Sequence, residues 1–432
     1  MAIQTAPGNT APNELTKTNV TAMAMVTTLF FMWGLLTSLN DTLIPHLKGI
    51  FGLNYASVMD VQLYFFGAYF LFAWPAQKLI EKFGYKAAMV FGLFTMGAGA
   101  FLFIPAANVP AFVLFLGALI VLAAGMTILQ VSANPYVAVL GPAKTASSRL
   151  NLAQAFNSLG TTIGPALGAY LILKEVPKSL EEVQAMPDAV RAAYRLHEAS
   201  SVKLPYVGLG LCLVLLALTI WKFKLPAFNP ETDKTGDASA GSKSIWRHRK
   251  LVLGAIGIFV YVGAEVSIGS FLISYLSQPE TGNMTLQTAA RCVSLYWGGA
   301  MVGRLVGSGL MQKIRANFVL GCAALIAFLL IATTMVSFGS VAAWSIVAIG
   351  LFNSVMFPSI FTLSIDGLGA MTEKGSGVLV AAIVGGALIP KLQGIVADRI
   401  GIHHAFFLPA ICYLYIAYFA FFGSRDSKDY AS

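Results

Sequence analysis

The sequence has few charged residues: Asp, Glu, Lys and Arg make up 11% of its 432 residues, against 57% hydrophobic residues. A soluble protein keeps about a quarter of its residues charged to solvate its surface, so a soluble globular class is excluded. The sequence also lacks the short alternating segments of a membrane β-barrel. Its basic residues form no patch interleaved with aromatics, which argues against a nucleic-acid partner. It has instead apolar runs of about 20 residues, each long enough to cross a bilayer as a helix.

Cysteine is also scarce. The four cysteines lie inside apolar runs without motif spacing, and they predict neither disulfides nor a metal site: Cys212, Cys292, Cys322 and Cys412. The first 18 residues are polar and carry no basic segment ahead of a cleavable apolar one. No signal peptide is therefore expected, and the first apolar run is interpreted as a retained span.

The apolar runs predict an all-α membrane protein with 12 transmembrane helices in two six-helix bundles. The predicted spans are 21–45, 58–80, 86–106, 110–140, 148–174, 204–222, 250–277, 286–312, 317–338, 341–366, 374–396 and 403–423. The chain then divides into an N-terminal tail (1–20), a first bundle (21–222), a linker (223–249), a second bundle (250–423) and a C-terminal tail (424–432). The two halves resemble each other, because Pro135 and Pro165 are 30 residues apart and Pro358 and Pro390 are 32 residues apart.

Basic residues predict the orientation. Of the 28 Lys and Arg residues, 18 fall in the loops that share a side with the N-terminus. The positive-inside rule therefore places both termini and the linker in the cytoplasm, in a multi-pass protein of the inner membrane. On the other side, the long loop 175–203 contains a segment, 186–198, that opens with Pro and Asp and predicts a short surface helix.

Two carboxylates lie inside or at the end of apolar runs. Asp41 follows Asn40 near the end of the first span, and Glu265 lies in the middle of the seventh span among small residues. A carboxylate near lipid is costly, so it usually faces a water-filled cavity, a cation or a proton path. Asp41 is equally consistent with a local structural role at the interface. Both are candidate cation-coupling residues.

Uncharged polar and aromatic residues complete the candidate site. Asn151, Gln154 and Asn157 follow one side of the fifth span. Amides suit sugar hydroxyls, and aromatic faces pack against a pyranose ring. The candidate substrate-binding residues are Asn40, Gln62, Gln130, Gln154, Asn157, Tyr296, Trp297 and Asn353. For a single amide, the alternative is a hydrogen bond between helices, worth about 1 kcal/mol.

Several motifs carry a family resemblance. The loop 77–86 resembles the G-x-x-x-D-R-x-G-R-K loop of the major facilitator superfamily, with Gln77 and Glu81 replacing its first Gly and its Asp. The segments 31–34, 39–45, 132–142, 148–160 and 261–265 (FMWG, LNDTLIP, SANPYVAVLGP, SRLNLAQAFNSLG and YVGAE) resemble the fucose permease-like branch of that superfamily, and within it the bacterial glucose/galactose transporters.

The resemblance implies a transporter without enzymatic activity or cofactor, which works by alternating access between two bundles. It implies that Asp41 is an essential cation-coupling acid and that Gln154 and Asn157 line the cavity. The fucose permease has Glu in the fourth span and Gln in the seventh, where this chain has Gln130 and Glu265. This exchange leaves Na⁺ and H⁺ open as the coupling ion, with a Na⁺ site near Asp41 as one option. It favours a glucose/galactose-like hexose over L-fucose.

We therefore expect a monomeric hexose importer, driven by cation symport, whose partners are a small sugar and the lipid bilayer. An exporter of another small solute and a non-transporting membrane sensor are the alternatives. A membrane-embedded enzyme is disfavoured, because His403 and His404 have no Cys or carboxylate at ligand spacing.

Overall fold

The computed structural model describes residues 18–51, 55–171, 182–183, 185–226 and 245–425, and within these ranges it contains helices and no strand. The side chains of 40–50, 55–60 and 62 are outside this description, together with a few others. The helices are α1 Val20–Phe51, α2 Tyr55–Asn108, α3 Phe112–Val139, α4 Ala146–Leu171, α5 Asp188–Ser200, α6 Lys203–Lys222, α7 Arg249–Leu276, α8 Leu286–Leu310, α9 Ala316–Val336, α10 Gly339–Asn353, α11 Met356–Ile365, α12 Thr372–Ala381, α13 Gly385–Ile400, α14 Ile402–Ala405 and α15 Phe407–Tyr418.

Over the described residues, each predicted span lies mainly in helix. The surface helix predicted at 186–198 is α5, which begins directly after Pro187. The tenth and eleventh spans are interrupted, since α10 gives way to α11 at residues 354–355 and α12 is separated from α13 by a short 3₁₀ turn. Hydropathy could not predict these breaks, because the apolar run continues through them.

The long helix α2 changes direction at Gly84, where φ is 79° and ψ is 170°. Glycine adopts a positive φ without the steric penalty of a Cβ. A straight helix of 54 residues would be about 80 Å long, far more than the hydrocarbon core of about 30 Å. The break therefore separates the predicted spans 58–80 and 86–106. Just beyond it, Lys86 Nζ donates to the carbonyl of Trp221 at 2.8 Å.

The ends of several helices meet at one face of the molecule. We call it the linker face, because α6 ends there at Lys222 and α7 begins there at Arg249. The amide of Asn19 donates to the carbonyl of Leu140 at 3.0 Å, and the Tyr136 hydroxyl donates to the carbonyl of Pro226 at 3.0 Å. The start of α1 and the end of α3 therefore lie at the same face as the linker.

The helices form two groups. In the first half α2 packs on α3 and α6, and α1 packs on α4; in the second half α9 packs on α10 and α15, and α7 packs on α13. The groups meet along α4 and α8 and again along α2 and α12. Among the described residues, nine stretches are long and apolar enough to cross a membrane. That set counts the 46-residue stretch 63–108 of α2 once and does not include α4 or α8.

Glycine allows α1 and α4 to cross closely. A Cβ at Gly160 would stand 2.3 Å from the Phe31 carbonyl oxygen, and a Cβ at Gly34 would stand 2.0 Å from that of Asn157. Such contacts are with backbone, which cannot move aside as a flexible side chain can. Small residues at a helix crossing let two backbones approach, and packing of this kind drives helix association in a bilayer.

Replacing Gly160 by Ala is expected to lower the thermal midpoint of the purified protein in detergent, because the added methyl pushes α1 away from α4. Overpacking costs about 1–3 kcal/mol. The matched control is Gly117→Ala, since a Cβ at Gly117 meets nothing within 4 Å and Ala favours helix by about 0.5–1 kcal/mol over Gly. Equal midpoints for the two variants would contradict the proposed packing.

Candidate solute and cation site

Glu265 lies in the middle of α7. The residue is half-buried, and its Oε1 atom is buried with no hydrogen-bond partner among the described residues. Two groups act electrostatically on this carboxyl: the guanidinium of Arg304 in α8 and the hydroxyl of Tyr261, one turn earlier in α7. In the described part of the chain, no ion pair within 4.0 Å joins Glu265 to Arg304. The carboxyl is therefore near a cation but not directly paired with it.

Arg304 connects the two bundles and was not among the predicted site residues. Its side chain is 9% exposed. Within its own bundle, Nε donates to the carbonyl of Ser354 at 3.3 Å. Across the interface, Nη1 donates to the carbonyl of Gln154 at 3.4 Å and to the hydroxyl of Ser158. One buried cation therefore contacts α4 of the first bundle while its charge acts on Glu265 of the second.

The three amide residues predicted along one side of α4 lie in different environments. Gln154 is 4% exposed, and its Nε2 has no partner among the described residues. Asn151 Nδ2 donates to the carbonyl of Ser147 at 2.9 Å. Asn157 Nδ2 donates to the carbonyl of Phe30 at 3.0 Å, which ties α4 to α1. In this conformation Gln154 Nε2 and Asn151 Oδ1 both lack a hydrogen-bond partner among the described residues, and Asn157 holds helices together.

Gln130 of α3 is buried, with its amide half satisfied. Its Nε2 donates to the Tyr69 hydroxyl at 2.9 Å, whereas its Oε1 has no partner among the described residues. A buried polar atom without a partner costs about 1–3 kcal/mol. Oε1 is thus a group that a solute hydroxyl or a water would stabilise.

Asn353 is the centre of a hydrogen-bonded cluster in the second bundle. Its Nδ2 donates to the Tyr296 hydroxyl at 2.7 Å, and its Oδ1 accepts from the Tyr413 hydroxyl at 2.7 Å. Its carbonyl accepts from the Tyr261 hydroxyl at 3.1 Å. Tyr296 is fully buried, so its ring presents no open face to a solute in this conformation. Asn353 and Tyr296 connect α8, α10 and α15 behind Glu265.

Trp297 is more accessible than Tyr296. Its indole is partly exposed and stands edge-on to the Tyr296 ring, with 5.2 Å between the ring centroids. A Cβ at Gly269 would lie 3.3 Å from Trp297 Cζ2, which places the indole over α7 one turn beyond Glu265. Of the two predicted aromatic residues, Trp297 has ring surface that a solute could contact, whereas Tyr296 does not.

Three predicted side chains fall outside the description. Asn40 and Asp41 belong to α1 and Gln62 to α2, but the structure describes only their backbone. The predicted coupling role of Asp41 and the option of Na⁺ beside it therefore stay predictions. Among the described residues, no group of three His, Cys, Asp or Glu side chains is placed to hold a metal ion.

The two bundles are closed against each other at the linker face. The Ser147 and Thr362 hydroxyl oxygens are 2.5 Å apart, and the Ser148 hydroxyl donates to the carbonyl of Ser308 at 2.7 Å. These contacts lie on the linker side of Arg304. Any passage between the bundles is therefore shut on this side of Glu265 and Arg304.

Comparison with known proteins agrees with this architecture. The profile described as Major Facilitator Superfamily matches residues 24–383. The chain is 50% identical over 405 residues to a glucose/galactose transporter of Brucella abortus, covering 94% of each protein. It is 36% identical over 415 residues to the L-fucose-proton symporter of Escherichia coli, again covering 94% of each.

Solved structures give the same fold. A major facilitator superfamily transporter, the fucose transporter in its outward conformation, superposes with a TM-score of 0.85 at 35% identity, covering 94% of this chain and 99% of that one. A proton:xylose symporter bound to 6-bromo-6-deoxy-D-glucose superposes with a TM-score of 0.65 at 14% identity, which shows the fold alone. With two helical bundles that meet around buried polar groups and a matching family profile, this chain belongs to the major facilitator superfamily.

Proposed function

We propose that this protein imports a glucose- or galactose-like hexose by symport with a cation, through alternating access of its two bundles. The names of the relatives at 50% and 36% identity support a sugar substrate and coupling to a cation. The observation that carries the proposal is that the charge of Arg304 acts on the Glu265 carboxyl while Arg304 also donates hydrogen bonds to the other bundle.

This arrangement links cation binding to bundle movement. When Glu265 is charged, its attraction stabilises the Arg304 guanidinium at the interface, where it contacts Gln154 and Ser158. Binding a cation neutralises the carboxyl and removes that attraction. A ligand shifts a conformational equilibrium only through a difference in its interaction with the two states, and the bridge from α8 to α4 provides such a difference.

The number of ligands favours H⁺ over Na⁺ at Glu265. The neighbouring guanidinium opposes the binding of either cation, but a sodium ion would also need several oxygen ligands, whereas a proton binds a single carboxyl oxygen. The option of Na⁺ near Asp41 remains, and the uptake experiment below distinguishes the two ions.

We infer that the chain crosses the membrane twelve times with both termini and the linker in the cytoplasm. The nine apolar stretches become twelve crossings when α2 is counted twice because of its break at Gly84, and when α4 and α8 are added. Arg304 of α8 and Gln154 of α4 lie at the contact between the bundles rather than toward lipid. The linker face is then cytoplasmic, and the passage opens to the outside, as in the outward conformation of the similar fucose transporter.

The sugar site follows from the groups that lack partners. Gln130 Oε1 and Gln154 Nε2 are buried without hydrogen bonds among the described residues, and Trp297 offers partly exposed ring surface. Asn40 and Gln62 extend this set as predicted residues. Asn157, Tyr296 and Asn353 hydrogen-bond neighbouring helices and so position the site.

We further propose that the protein is a monomer in the inner membrane.

Uptake into proteoliposomes tests the proposal. Labelled glucose, galactose and L-fucose are each offered under an inward H⁺ gradient, an inward Na⁺ gradient or neither. We expect glucose or galactose to accumulate only with one of the gradients, H⁺ being favoured, and L-fucose to accumulate less. Equal uptake without a gradient would contradict symport, and the absence of hexose uptake would favour an exporter of another solute or a sensor.

A further inference from the structure

A cavity of about 630 Å³ opens at the linker face between the two bundles. It lies beyond the contact of Ser147 with Thr362, both of which line it, and so it is separate from the candidate sugar site. Ligand pockets in proteins usually measure about 300–1,000 Å³, so this cavity has room for a small metabolite.

The cavity is lined by five cationic side chains from both bundles: Lys144 of the first, and Lys250, Lys313, Arg315 and Arg425 of the second. Among the described residues, the acidic ones that line it are Asp366 and Glu373. Glu373 is buried and interacts with Tyr85 in the wall, away from solvent. The described lining therefore carries an excess of three positive charges.

Most of these cations have no counterion among the residues that the structure describes. Lys144, Lys313, Arg315 and Arg425 are exposed and form no ion pair with a carboxylate of the described residues. Hydroxyl and amide groups stand between them, including Thr362, Thr372 and Asn317. Arg binds phosphate through paired hydrogen bonds and Lys binds it as a point charge, while hydroxyl and amide groups suit the polar remainder of a metabolite.

We propose that this cavity binds a phosphate ester, from a soluble phosphorylated sugar or from a phospholipid headgroup. Lys144 reaches the ligand from the first bundle, and Lys313 and Arg315 reach it from the loop between α8 and α9. Both sources present the same charged group, and the arms of the experiment separate them.

Binding would stabilise the state in which the linker face is closed, because only there do the cations of the two bundles face one cavity. At a ligand concentration ten times the Kd, the ratio of closed to open molecules rises about 11-fold. Given the transport function proposed above, such a ligand on the linker face slows import. The binding itself does not depend on that function.

Calorimetric titration of the purified full chain with glucose 6-phosphate or inorganic phosphate tests the proposal. We expect saturable binding that weakens with salt and survives excess glucose, which rules out the sugar site. The double variant Lys313→Gln/Arg315→Gln should lose at least 10-fold in affinity, and Lys144→Gln should lose affinity too. The control Lys78→Gln/Lys82→Gln removes the same charge from exposed positions outside the cavity and should bind within 2-fold of the unsubstituted protein.

Nanodiscs with and without phosphatidylglycerol form the lipid arm, with the thermal midpoint as readout. A rise with phosphatidylglycerol that Lys313→Gln/Arg315→Gln abolishes, without binding of glucose 6-phosphate, would identify the lipid as the source. The proposal is overturned if neither arm shows binding, or if the control variant loses as much affinity as the cavity variant. Binding is measured at equilibrium without transport, so a protein that fails to import hexose can still confirm or overturn it.

Discussion

Glu265→Gln is expected to abolish accumulation of hexose while leaving exchange of sugar across the membrane intact. A symporter that moves one charge per sugar can concentrate it about 50-fold at 100 mV, since one charge gains about 2.3 kcal/mol. Glutamine has the shape of the protonated carboxyl but cannot release a proton. The variant should therefore equilibrate sugar to a ratio of about 1, because Arg304 no longer has a carboxylate whose charge changes during the cycle.

Two variants control this experiment. Glu265→Asp keeps an ionisable carboxyl and should retain part of the accumulation. Glu280→Gln removes the same charge from an exposed turn after α7 and should accumulate hexose normally. Accumulation by Glu265→Gln at the level of the unsubstituted protein would show that coupling lies elsewhere, with Asp41 the next candidate.

Arg304→Gln is expected to reduce the rate of uptake by about 100-fold or more and to destabilise the protein. The side chain donates to Ser354, Gln154 and Ser158, and its charge acts on Glu265. Removing the buried guanidinium leaves the carbonyls of Ser354 and Gln154 without this donor and the Glu265 carboxylate without a nearby cation, and each unsatisfied buried polar group costs about 1–3 kcal/mol. Thermal midpoints in detergent and initial rates of uptake measure the two effects.

A double-mutant cycle separates the electrostatic role of Arg304 from its hydrogen bonds. Glu265→Gln/Arg304→Gln should be more stable than Arg304→Gln alone, since the uncompensated carboxylate is gone, with a coupling of about 0.5–3 kcal/mol. Arg304→Lys keeps the charge but lacks the planar fork of donors, so it should restore stability more than transport. Additive effects in the cycle would contradict the coupling of Glu265 to Arg304.

The helices could be predicted from the sequence because each membrane span needs a run of about 20 apolar residues. The apolar runs indicated where the helices lie, although not every end or internal break, and the break at Gly84 falls between two of the predicted spans. Glu265 could be found in the same way, since a carboxylate inside an apolar run is costly wherever the helix packs. These features depend on local sequence and on lipid as solvent.

The partners of those residues could not be predicted. Arg304 gave the same signal as Glu265, a charge inside an apolar run, but its contacts with Gln154 and Ser158 join residues about 150 positions apart. The period of α4 placed Gln154 and Asn157 on one side of the helix, yet only the packing of α1 shows that Asn157 bonds to Phe30. In the same way, spacing does not distinguish an asparagine that forms hydrogen bonds with three tyrosines, as Asn353 does, from one that faces a cavity.

The most direct test of cation-coupled sugar import is the ion flux that sugar itself induces. Proteoliposomes without an imposed gradient receive glucose or galactose outside, while external pH and Na⁺ are recorded. We expect the sugar to draw H⁺ inward, so that the external pH rises, and we expect no such signal from Glu265→Gln although it still exchanges sugar. Uptake of hexose without flux of either cation, or an equal flux in Glu265→Gln, would contradict the mechanism.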